Sequence, residues 1–73
     1  MSTMLVSANL FDLEWETVHS GTTLPSQVRV KIKILLTHDR DVVLSAICQD
    51  VMSRYRVPLK NYRVQNLIVD VDL

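Results

Sequence analysis

The chain has 73 residues, 48% of them apolar, and its eight basic residues are matched by eight acidic ones. This composition suits one small folded domain spanning residues 1–73, while zero net charge argues against a general nucleic-acid binder and against an acidic mimic of nucleic acid. A chain of this size buries only about 60% of its unfolded surface, and a neutral surface repels its own kind little, which permits association.

Residues 1–8 are small and apolar and read as an extended lead-in. From Asn9 to Val18 the sequence alternates, with Phe11, Leu13 and Trp15 on one face and Asp12, Glu14 and Glu16 on the other, which is the period of a strand. His19 to Ser26 holds the sole glycine, Gly21, together with Pro25, and reads as a loop too long for a two-residue turn. Val28 to Leu36 is a second strand: Val28, Val30, Ile32 and Ile34 point one way, and Arg29, Lys31 and Lys33 the other. Charge favours an antiparallel register with Glu16 facing Arg29, Glu14 facing Lys31 and Asp12 facing Lys33. The same register sets Trp15 opposite Val30, Leu13 opposite Ile32 and Phe11 opposite Ile34.

Thr37 or Asp39 then caps a helix that runs to about Arg56, with Leu44, Ile47, Cys48, Val51 and Tyr55 on its apolar side and Val43 and Met52 flanking. Asp50 and Arg54 are placed to pair one turn apart, and Pro58 ends the helix. The last strand is clearest from Leu67 to Leu73, where Leu67, Val69, Val71 and Leu73 alternate with Ile68, Asp70 and Asp72. Tyr62 and Val64 have the opposite parity. Either this strand begins near Asn66, or a bulge near Gln65 and Asn66 returns them to the core.

The expected architecture is α+β: a ββαβ two-layer sandwich with a three-stranded mixed sheet and one helix packed on one face. Keeping Asp70 and Asp72 away from Asp12, Glu14 and Glu16 favours the strand order 1-2-3, with the basic strand central.

No residue set for catalysis emerges, so no enzyme, cofactor or small-molecule substrate is expected. His19 and His38 are not spaced with Cys48 as metal ligands, and no metal site is expected. His38 beside Asp39 and Asp41 reads as part of a helix start rather than a general base. Cys48 reads as a small core residue rather than a nucleophile, and Trp15 as a core aromatic. Asp70 and Asp72 lack the further oxygen ligands a cation needs. No basic start marks a signal peptide, no apolar run is long enough to span a membrane, and the single cysteine rules out an internal disulfide; the expected location is the cytoplasm.

In the favoured register the outward face turns apolar beyond the charged rows. Leu10 faces Leu35, Ile68 shares that side of the last strand, and Val6 and Ala8 extend it if strand one starts early. Such a patch is covered either by the N-terminal segment or by another protein, and edge strands one and three can also pair with another chain. The function expected is a small homodimeric protein-interaction module that regulates or inhibits a partner protein through Leu10, Leu35 and Ile68. The alternative is nucleic-acid binding along Arg29, Lys31 and Lys33.

Overall fold

The structure is a computed structural model that describes residues 2–16 and 23–72. The elements run β1 (Thr3–Trp15), β2 (Val28–Leu35), α1 (Arg40–Tyr55) and β3 (Leu59–Asp72). The α+β class and the ββαβ element order are those the sequence leads one to expect. The sheet order is not: it is β2-β1-β3, with β1 central and antiparallel to both neighbours, so the expected 1-2-3 mixed sheet is overturned. The basic strand is an edge, and α1 carries the chain from one edge, past β1, to the other.

The physical reason lies in where β1 and β3 begin. Residues 3–8 are the first half of β1 and not a lead-in. Met4, Val6, Ala8 and Leu10 supply the buried alternation, opposite Ile34, Ile32, Val30 and Val28 of β2. Asp12 then takes a left-handed backbone (φ 54°), a conformation that Asp and Asn tolerate best among residues with a Cβ. The parity flips there, and Leu13 and Trp15 join the same core. Bases on β2 therefore do not face the acids of β1: Arg29 faces Asn9, Lys31 faces Ser7 and Lys33 faces Leu5.

Strand β3 is equally longer than its clearest stretch. Asn66 (φ 56°) marks a bulge where the β1–β3 register shifts, and Tyr62 and Val64 on one side of it and Leu67 on the other all pack on the core. Of the two readings left open by the sequence, the bulge is the one realised. With its basic half included, β3 answers the acids of β1: Arg63 donates to Asp12 at 2.9 Å. Asp70 lies at the far end, opposite Leu5. The acids that seemed to forbid β1 and β3 as neighbours are separated along the strands.

The carboxylate of Asp39 accepts from the backbone N–H of Asp41 and caps α1, and the helix ends with Arg56 in a left-handed conformation, its N–H donating to the Met52 carbonyl. Val43, Ile47 and Val51 form the buried stripe, and Arg54 donates to Asp50 at 2.8 Å as expected. Trp15 donates to the Pro25 carbonyl and meets Tyr55 edge-on with ring centroids 5.4 Å apart, so it is a core aromatic, though not opposite Val30. The turn read around Gly21, and His19, lie outside the described residues. Principal extents of 46 × 21 × 16 Å and a radius of gyration of 13.1 Å describe an elongated body, since a compact chain of this length has a radius of about 11 Å.

Candidate functional site

One helix over three strands leaves the other sheet face open. Alternation places Leu5, Ser7 and Asn9 of β1, Arg29, Lys31, Lys33 and Leu35 of β2, and Ile68 and Asp70 of β3 on that face. The three residues expected to form one contact patch are not brought together. Leu10 is 0% exposed and lies on the opposite side of the sheet, in the core beneath α1. Its expected partner Leu35 instead faces Thr3. Leu35 and Ile68, 58% and 56% exposed, do share the open face, but β1 separates them and they sit in different rows, Leu35 with Thr3 and Ile68 with Ser7. Those rows are four residues apart along β1, a separation of about 13 Å.

What the sequence reading missed is the concentration of exposed apolar side chains on β3. Val69 and Val71 are 42% and 49% exposed on the helix side, and Ile68 stands on the open side between them and Leu67. Both faces of this short stretch are thus apolar. Its outer edge has no neighbour among the described residues, because β3 pairs with β1 alone. The usual guards of an edge are missing from Leu67 to Val71: there is no proline and no lysine, and the one charge is Asp70. The signal was available in the run LIVDV, and the expected order already made the last strand an edge; what pattern alone did not show is that Val69 and Val71, of the core-facing parity, stay exposed.

The other edge is different in kind. Arg29, Lys31 and Lys33 are all exposed on β2. They form the row that a phosphate backbone would follow, although Asp70 shares their face, in the same row as Lys33 and Leu5.

Two further places were candidates for chemistry. A shallow cavity of about 230 Å³ lies between the start of α1 and β3, with Met4, Val43, Leu67 and Val69 in its wall and His38 and Arg40 at its rim. Among the described residues no group of three or more His, Cys, Asp or Glu side chains converges on a point where a metal could sit. Cys48 is half-buried, and burial pushes its thiol up from its ordinary value, opposed by a hydrogen bond with Tyr62; Tyr62 is raised as well, by burial first and then by Cys48. The thiol is therefore held protonated at neutral pH, the unreactive form. No described helix is long and apolar enough to cross a membrane.

Comparison with protein-family models, with curated proteins and with solved structures returned no match.

Proposed function

We propose that the chain is a protein-interaction module that regulates or inhibits a partner protein by surface contact, through a strand added to the outer edge of β3. One observation carries this reading: Ile68 on one face and Val69 and Val71 on the other are exposed along the same edge, which has no neighbour among the described residues. A partner docked on a sheet face would cover only one of these rows. A partner strand bonded to the edge runs its own side chains alongside both, and its backbone satisfies the free N–H and C=O groups.

The test is retention of partners by the immobilised full chain and three variants. Val69→Lys and Ile68→Lys place a charge on each face of the edge and should abolish retention, while Lys31→Glu on the opposite edge should leave it unchanged. Retention of nucleic acid that falls steeply with salt and is lost in Lys31→Glu, with Val69→Lys unaffected, would overturn the reading in favour of the basic row.

A further inference from the structure

We propose that the partner selected by this edge is a second copy of the chain, joined two-fold and antiparallel, β3 to β3, with Arg63 of each copy opposite Asp70 of the other. This rests on the reading of β3 as a strand-adding edge and names its occupant.

Charge order along the strand is the first argument. The bases of β3, Lys60 and Arg63, lie in its first half, and its acids, Asp70 and Asp72, in its second. Antiparallel pairing of a strand with its own copy sets the first half of one beside the second half of the other, so a strand with this order is complementary to itself. An unrelated strand would have to reproduce that order by coincidence. Self-pairing of β2 would set Arg29, Lys31 and Lys33 beside the same three bases, which costs energy.

The bulge is the second argument, because it makes the register that charge selects possible. Opposed residues in an antiparallel pair must point to the same side of the sheet. In an unbroken strand Arg63 and Asp70, separated by an odd number of positions, would point to opposite sides and could not face each other across the two-fold. The left-handed turn at Asn66 falls between them and removes the conflict. Arg63 opposes Phe11 and Asp70 opposes Leu5, both on the open side of β1. The register that joins Arg63 to Asp70 also sets Gln65 opposite Ile68 on the open side, and Val64 opposite Val69 and Tyr62 opposite Val71 on the helix side. Each exposed β-branched residue of the edge thereby gains a neighbour, and the two sheets, of three strands each, become one continuous sheet with both helices on the same face. Arg63 already holds Asp12 at 2.9 Å, so in the dimer it lies between an acid of its own chain and one of the second copy.

The test is sedimentation equilibrium of the full chain from low micromolar to high concentration, reading a monomer of 8.4 kDa against a dimer of twice that mass. The wild type should dimerise. Arg63→Asp puts acid against acid twice, and Asp70→Arg puts base against base twice, so each variant alone should dimerise about tenfold or more weakly. An equimolar mixture of the two variants should recover a dimer, because every opposed pair in the mixed species is again base against acid. Should Arg63→Asp fail to fold for want of its link to Asp12, as circular dichroism would show, Asp70→Arg at its exposed position must still weaken the dimer, and Arg63→Asp combined with Asp70→Arg in one chain must restore it. A wild type that stays monomeric throughout overturns the proposal, and Val69-dependent retention of a different protein would then leave the interaction reading standing. A dimer untouched by either charge reversal, or variants that do not recombine, overturns it as well.

Discussion

The two edges of the sheet solve the same problem in opposite ways. Both β2 and β3 present a row of backbone groups that any extended chain could pair with. Strand β2 carries three exposed bases at alternate positions, so a second β2 brought alongside meets like charge at every step. Strand β3 carries charge of one sign at each end and exposed β-branched residues on both faces between Leu67 and Val71. The difference teaches that edge protection is a property of sequence order and not of charge count. Each strand bears charged side chains, but those on β2 repel a copy and those on β3 attract one.

The largest effect that sharpens this contrast comes from the residue the two edges enclose. Leu10 faces Val28 on one side and Val64 on the other and is fully buried. Leu10→Ala should cost about 2–5 kcal/mol in urea unfolding at a concentration low enough to keep the chain monomeric. Under the same conditions Leu35→Ala and Ile68→Ala, at exposed positions, should each change stability by less than about 0.5 kcal/mol. An equal cost at all three would show that the two edges are buried in the monomer and are not edges. Next in size is the removal of the guard. Lys31→Val together with Lys33→Val makes β2 a second apolar edge, and mass should then grow with concentration beyond the dimer, read by light scattering. Mass that stops at the dimer would show that charge on β2 is not what limits pairing there.

The α+β class and the element order were legible in the sequence, the strand order and register were not, and those failures share one cause. The cap, Asp39, is one of the two residues that short-range pattern offered, and the helix, the Asp50–Arg54 pair and the alternation of β2 follow from that pattern. The strand order does not, because it depended on treating each strand as keeping one parity throughout. Met4, Val6, Ala8 and Leu10 have one parity and Leu13 and Trp15 the other, and both sets are inward because Asp12 takes a positive φ. Reading only the second set moved the register, took Leu10 out of the core and matched the acids of β1 to the wrong strand. The same device at Asn66 was legible as an alternative, since Tyr62 and Val64 were visibly out of step with Leu67. In each case the break falls at an Asp or Asn between two apolar runs of opposite parity, which is the pattern to look for.

That pattern sets up the next prediction. If the bulge at Asn66 is what lets β3 be apolar on both faces and complementary to itself, a residue that resists positive φ should damage the edge more than the fold. Asn66→Val should cost about 1–2 kcal/mol in urea unfolding, and Asn66→Gly should cost nothing or stabilise slightly. Sedimentation should show Asn66→Gly dimerising like the wild type and Asn66→Val impaired. A dimer of unchanged strength in Asn66→Val would separate the bulge from the pairing.

The smallest effect concerns why one half of β3 is covered and the other is not. Cys48 of α1 meets Tyr62 in the first half, whereas Val69 and Val71 in the second half are exposed, Val69 across a shallow cavity from the start of α1. Both the thiol and the phenol are raised above their ordinary values of 9.0 and 10.0, chiefly by burial. The folded chain therefore keeps these protons at a pH where the unfolded chain has released them. Their contribution is constant below pH 9.0 and is lost as the pH rises past it, first through Cys48 and then through Tyr62. Urea midpoints of the wild type should fall between neutral pH and mildly alkaline pH, and the fall should be smaller in Cys48→Ala and in Tyr62→Phe. An equal fall in all three chains would assign the alkaline loss to other groups.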